Sequence, residues 1–160
     1  MYTAQIRWLS DNDWPPVLDI LRACGRDAAD DLVRLRHFLS APTNGGLVAV
    51  LGRRVVGVLL FEADPSRRAL RIRCLAVLPA HRRRGIGSRL LHALTGKVDA
   101  VADVQVVTRV RETNLAGQLF LRANHFKAVR VLPLTEADDT EDAYLFRYEP
   151  RAACGLAPAR

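Results

Sequence analysis

The 160-residue chain reads as an α/β domain, with about seven strands in a central mixed, mostly antiparallel sheet flanked by about four helices. Three observations carry that expectation. Leu70, Ile72, Cys74 and Ala76 alternate with Arg71, Arg73, Leu75 and Val77, the period-two pattern of a strand. Beyond Pro79, which brings no donor to a sheet ladder, Ile86, Leu90, Leu91 and Leu94 recur at helical spacing. Further short apolar segments on either side are separated by Gly, Pro, Asn and Asp clusters, the punctuation of alternating strands and helices.

The elements follow in order. Tyr2 to Leu9 reads as an opening strand with Ile6 and Trp8 on one face. Ser10-Asp11-Asn12-Asp13 offers N-cap residues, and Pro15-Pro16 suits a first helical turn. Val17, Leu18, Ile20 and Leu21 give a short helix ending near Gly25. A second runs from Asp27 to Leu39 on a stripe of Leu32, Leu35, Phe38 and Leu39. Leu47 to Leu51 and Val55 to Glu62 form a hairpin around Gly52-Arg53-Arg54, and the strand–turn–helix of residues 70–94 comes next. Val101 to Val107 reads as a buried parallel strand. Asn114 to Asn124 reads as a helix with Ala116, Leu119, Phe120 and Ala123 facing inward. Phe126 to Leu132 and Ala143 to Tyr148 close the sheet, giving one domain over residues 1–150 and a flexible tail over 151–160.

The turn Arg82-Arg83-Arg84-Gly85-Ile86-Gly87-Ser88 carries the chemistry. The first N–H groups of a helix have no partner inside it, and the helix dipole favours an anion there. Glycines allow close approach to the backbone, and three arginines add fixed positive charge. Together these describe a phosphate or pyrophosphate cradle. A tight turn with solvated arginines fits the same residues. No GxxxxGK[S/T] string occurs, and a dinucleotide fingerprint would need glycine where Leu90 stands.

The segment resembles motif A of the GNAT superfamily of N-acetyltransferases, Gln/Arg-x-x-Gly-x-Gly/Ala, here Arg82 to Gly87 after a strand ending Ala76-Val77-Leu78-Pro79. In that family the loop's amides hold the pyrophosphate of acetyl-CoA, and the strand's backbone pairs with the pantetheine arm. The resemblance therefore implies cofactor contacts at Leu75, Ala76, Val77, Arg82, Arg83, Arg84, Gly85, Ile86, Gly87 and Ser88. A second stretch, Asn114 to Phe126, resembles the family's NxxAxxFYxxxGF and adds Asn114, which is equally a helix N-cap. The order of elements over residues 2–148 is the family's arrangement. Glu141-Asp142-Ala143-Tyr144-Leu145-Phe146 leans towards protein amino-terminal acetyltransferases, including the ribosomal-protein alanine branch.

The proton-transfer half of the pattern departs from the family. Acetyl transfer from a thioester to an amine gains from a base for the amine and an acid for the leaving thiolate. The family's tyrosine acid is Leu121 here, and the branch's carboxylate base is Arg109, which stays protonated. The candidates left are Glu62 and Glu112 as bases and Tyr144 as acid, with Cys74 the better fit to a small core residue. Each also has a structural role open to it, as a solvated charge or a packing aromatic. The family glycine before the last phenylalanine is His125, with Asn124 expected to supply the left-handed cap. The expectation is an acetyltransferase acting on a primary amine, perhaps a protein N-terminus; the alternative is a weak or silent acetyl-CoA-binding module.

Composition narrows the partners. The net charge of +7 is local: Pro65 to Val98 carries nine bases and no acid, while the rest carries 15 bases and 17 acids. That distribution suits an anionic cofactor and argues against a nucleic-acid surface, for which no motif appears. Glu136, Asp138 and Asp139 belong to an acidic loop expected to steer a cationic acceptor. No apolar run approaches a membrane span, and the N-terminus lacks a signal-peptide layout. Three cysteines without CxxC spacing and four scattered histidines suggest no metal site and a reducing cytoplasm, with monomer and homodimer both open.

Overall fold

The computed structural model describes residues 3–25, 28–101, 103–133 and 142–149, with side chains described outside 28–33. The expected tail and all of the acidic loop except Asp142 lie outside the described residues. The fold is α/β, with seven strands and four α-helices among the described residues, plus short 3₁₀ turns at Asp11–Asp13 and Pro79–His81. The chain folds as two compact units, Met1–Val106 and Val107–Arg160.

The first unit holds β1 (Gln5–Trp8), α1 (Trp14–Ala23), α2 (Ala28–Ser40), β2 (Asn44–Leu51), β3 (Arg54–Asp64), β4 (Ala69–Val77) and α3 (Ile86–Asp99). Its strands lie in the order β1-β2-β3-β4, each antiparallel to the next. Val17, Ile20 and Leu21 of α1 bury against Val48, Val58, Leu60, Cys74 and Ala76 on one face. Alternation turns Gly57 to the other face, where a Cβ would meet Leu90 at 3.2 Å and Ile86 at 3.3 Å on α3. Coverage on both faces explains why β3 reads Val-Val-Gly-Val-Leu-Leu-Phe rather than alternating.

β1 is tied to the next turn by a charge pair. Both terminal guanidinium nitrogens of Arg7 donate to Asp13, at 2.6 and 2.8 Å. Asp13 also accepts from the Ser10 N–H at 2.8 Å and hydroxyl at 2.9 Å. Its carboxylate is buried, and the bond from Arg7 is the largest cause of a pKa lowered from 3.8 to about 2.

The second unit completes β5 (Gln105–Arg111), which starts in the first, and adds α4 (Leu115–Ala123), β6 (Phe126–Leu132) and β7 (Ala143–Tyr148). Its strands order β5-β7-β6, both pairs antiparallel, with β6 outermost and a bulge between Ala128 and Arg130. Phe126 and Phe146 are fully buried, and Phe126 packs on Tyr148 with ring centroids 5.5 Å apart.

Three sequence expectations are corrected. The fifth strand begins at Gln105 rather than Val101, because Val98 accepts from Val101 N–H and Asp103 turns left-handed at φ 64°. It is half-buried, with Val106, Thr108 and Val110 inward and Gln105, Arg109 and Arg111 exposed. On α4 the buried residue is Leu121, at 5%, whereas Leu119 is 56% exposed and Ala116 and Ala123 are also outside. The left-handed residue after α4 is His125 (φ 67°), standing where the motif has glycine. Asn124 keeps φ −106° and donates its side-chain amide to the Phe120 carbonyl at 2.8 Å.

Two predictions rest on these features. Asp13→Ala should cost about 2–4 kcal/mol at neutral pH, because it leaves Arg7 and the Ser10 N–H without their acceptor. Since the folded pKa is depressed, this contribution is complete above about pH 4 and is lost as pH falls through about 2. Urea midpoints of wild type and variant should therefore converge across that window. His125→Gly should stabilise by roughly 0.5–1 kcal/mol, the left-handed penalty less the added entropy of the unfolded glycine. An equal or lower urea midpoint would contradict it.

Candidate functional site

The end of β4, the turn after it and the start of α3 are built entirely within the first unit. Leu78 N–H donates to Val56 O at 2.9 Å, continuing the ladder with β3. By alternation the backbone groups of Leu75 and Val77 point away from β3, and those of Ala76 point towards it. Leu75 and the Val77 N–H thus turn away from β3, towards the side an extended ligand arm could pair with, while the Val77 carbonyl is engaged by Arg82 and Cys24; Ala76 presents a buried side chain on the α1 face.

Gly85 is the N-cap of α3, left-handed at φ 74°, and no side chain caps the helix. A Cβ at Gly85 would meet nothing within 4 Å, so the backbone is open on that side. The helix proper starts at Ile86, buried against β3, followed by half-buried Gly87 and Ser88. The first-turn N–H groups therefore face an unoccluded approach with the positive end of the helix behind them.

Charge around the turn sorts itself by partner. Arg71 and Arg73 pair with Glu62 at 3.9 and 3.5 Å, Arg67 with Asp64 at 3.7 Å and Arg68 with Asp103 at 3.6 Å. Lys97 lies over the Trp8 ring at 4.7 Å. Arg82 turns back, its Nε donating to Val77 O at 3.0 Å and its Nη2 to Cys24 Sγ at 3.1 Å. Arg83, Arg84 and Arg89 are exposed and have no ion-pair partner among the described residues. Arg83 is itself left-handed, at φ 59°. Sequence reasoning missed Cys24 here: 58 residues separate it from Arg82, and such a contact leaves no periodic trace.

The catalytic candidates divide between the two units. Glu62 of the first is held by the two guanidiniums just named, Arg73 being the extra residue of a bulge where Leu60 pairs with Cys74 and Phe61 with Ile72. In the second, Tyr144 stands opposite Val110, and Glu112 N–H donates to Asp142 O at 2.9 Å, continuing that pairing. Glu112 and Tyr144 therefore share one face of the β5–β7 pair. Glu112 is exposed and Tyr144 half-buried. Asn114 caps α4, accepting from Gly117 N–H at 2.9 Å. Cys74 is part of the buried core. Among the described residues no group of three or more His, Cys, Asp or Glu could hold a metal, and no helix is long and apolar enough to cross a membrane.

A family-wide sequence comparison matches residues 5–126, well over half the chain, to the acetyltransferase (GNAT) family. The chain belongs to the GNAT family. No curated protein sequence matches it. Among solved structures it is similar to the ribosomal-protein-S18-alanine N-acetyltransferase from Escherichia coli, at 17% identity, TM-score 0.75, and coverage of 91% of this chain and 92% of that one. It is similar to Ard1 from Thermoplasma volcanium at 25% identity, TM-score 0.75, covering 91% and 96%. An aminoglycoside 6'-N-acetyltransferase complexed with coenzyme A aligns at 17% identity, TM-score 0.76, covering 92% and 99%.

As a GNAT protein the chain is an acetyltransferase with acetyl-CoA as its acetyl donor. The open backbone at Gly85, the uncapped α3 N-terminus and the unpaired Arg83, Arg84 and Arg89 fit the pyrophosphate of that donor. The seat of α3 on β3 gives a direct check: Gly57→Val should cost about 1–3 kcal/mol by forcing Leu90 and Ile86 outward. Thermal melts of the two proteins measure it, and an unchanged Tm would show that α3 does not need this close approach.

Proposed function

We propose that the protein moves the acetyl group of acetyl-CoA to a primary amine, a protein N-terminus or a small amine, as one acetyltransferase domain. The single observation that carries this reading is the uncapped start of α3 behind Gly85, with three arginines left for an anion. In this reading the amides of Gly85, Ile86, Gly87 and Ser88 hold the pyrophosphate, aided by Arg83 and Arg84. Leu75 and the N–H of Val77 pair with the pantetheine arm, and Asn114 contributes beside its capping role. Bound acetyl-CoA supplies an activated thioester.

The chain's own residues must then take a proton from the amine and give one to the departing sulfur. Glu112 is the proposed base and Tyr144 the proposed acid, because they share one face of the β5–β7 pair. Glu62 is the weaker base candidate, since both its oxygens are engaged by Arg71 and Arg73. The likeness to the S18-alanine N-acetyltransferase supports the protein N-terminus as acceptor, while the aminoglycoside enzyme keeps the small amine in view. Neither Cys24 nor Cys74 is in a disulfide, which suits a reducing cytoplasm.

A second reading, a weak or silent acetyl-CoA-binding module, is favoured by one feature: the tyrosine position holds a buried leucine, Leu121, and the carboxylate position an exposed Arg109. Acid and base terms contribute about 10²–10⁴-fold each, and positioning alone can still run a slow transfer.

Coenzyme A at about 100 times its Kd should raise the Tm by roughly 5–10 °C. Gly85→Asn tolerates the left-handed backbone and should keep most of that shift, whereas Gly85→Glu should lose it through charge and bulk. An unchanged shift in Gly85→Glu would remove the loop from the site. Thiol release from acetyl-CoA, measured against a panel of peptides and amines, separates the two readings: turnover with any acceptor supports the transferase, and none with firm coenzyme A binding supports the module.

A further inference from the structure

We infer that Arg82 is a positioning residue, anchored on Cys24 and the Val77 carbonyl, that fixes the anion-binding turn to the end of β4; this rests on the acetyl-CoA site proposed above. Three groups close on one another. The guanidinium donates through Nε to Val77 O at 3.0 Å and through Nη2 to Cys24 Sγ at 3.1 Å. The Cys24 thiol in turn donates to Val77 O at 3.6 Å. The thiol thus uses its hydrogen towards the carbonyl and a sulfur lone pair towards the guanidinium.

The placement of these groups gives the contact its leverage. Cys24 is the C-cap of α1, and the helix end is held by left-handed Gly25 (φ 81°), whose N–H donates to Arg22 O at 3.0 Å. α1 covers one face of the sheet while α3 packs on the other. Arg82 therefore passes round the end of β4 and joins the α1 layer to the turn that starts α3.

The turn needs such a restraint. Arg83 and Gly85 are both left-handed, no side chain caps α3, and the Arg82 N–H reaches Pro79 O only at 3.3 Å. The Nε and Nη2 donors of Arg82 are taken by Val77 O and Cys24 Sγ, whereas Arg83, Arg84 and Arg89 have no ion-pair partner among the described residues. The influence of Arg82 on the cofactor is geometric.

Coenzyme A binding to the full chain, read by calorimetry, tests the inference. Cys24→Ala should weaken binding about threefold and Arg82→Met roughly tenfold, the sizes expected for a neutral and a charged hydrogen bond. Arg82→Lys should match Arg82→Met, because lysine has no donor at the Nε position and its ammonium ends one atom short of Nη2. The double variant should be no weaker than Arg82→Met, since both changes break one contact. The salt dependence of binding should stay that of wild type in Arg82→Met. Wild-type affinity in Cys24→Ala, additive losses, or rescue by lysine would overturn the inference. So would a flattened salt dependence, which would make Arg82 a direct phosphate contact. Should Arg82→Met fail to fold, the affinities of Cys24→Ala and Arg82→Lys decide the matter by themselves. Failure of the wild type to bind coenzyme A would instead remove the site itself.

Discussion

The seat of α3 in the first unit depends on its close approach to β3 at Gly57. A side chain there would press on Leu90 and Ile86, so the absence of a Cβ sets how deeply the helix sits. Depth matters because Ile86 is also the first residue of α3. Its burial on β3 places the start of the helix beside the end of β4. The amides and the helix dipole, which would bind any anion weakly on a free helix, are thereby aimed at one spot.

Electrostatics then narrows what that spot can take. The segment from Pro65 to Val98 carries nine bases without an acid. Folding brings acids from outside it, Glu62, Asp64 and Asp103, onto Arg67, Arg68, Arg71 and Arg73. These exposed pairs contribute little stability, on the order of 0–1 kcal/mol each. With these four paired, Arg83, Arg84 and Arg89 remain without an ion-pair partner among the described residues, close to Gly85. A pyrophosphate is matched by such a local cluster better than by a charge spread over the whole surface.

The sheet of the first unit and α3 were legible because burial there follows simple periods: β4 alternates, and the α3 stripe of Ile86, Leu90, Leu91 and Leu94 is buried as read. The start of β5 was not, since Val101 and Val104 look like strand residues while the chain is still leaving a helix through a left-handed turn. The stripe on α4 was misassigned because Ala116, Leu119 and Ala123 are as apolar as the residue that is buried, Leu121. The loop motif was read from its glycines, but the bend of Arg82 back to Val77 and Cys24 depends on a contact distant in sequence. His125 shows the opposite limit: its position was identified, yet which of two neighbours turns left-handed is decided by the buried Asn124 amide bonding to Phe120.

The outermost strand of the second unit has a consequence for how the molecule keeps its own company. β6 exposes Val129 and Val131 and carries backbone groups with no strand beyond them among the described residues, the arrangement onto which a stray strand could add. It is also bulged between Ala128 and Arg130, and Arg130 stands between the two valines, with Lys127, ion-paired to Glu149, ahead of them. A bulge breaks the regular spacing an incoming strand would need, and long charged side chains among the valines interrupt an apolar edge. The irregularity of β6 thus acts as a guard against edge-to-edge aggregation.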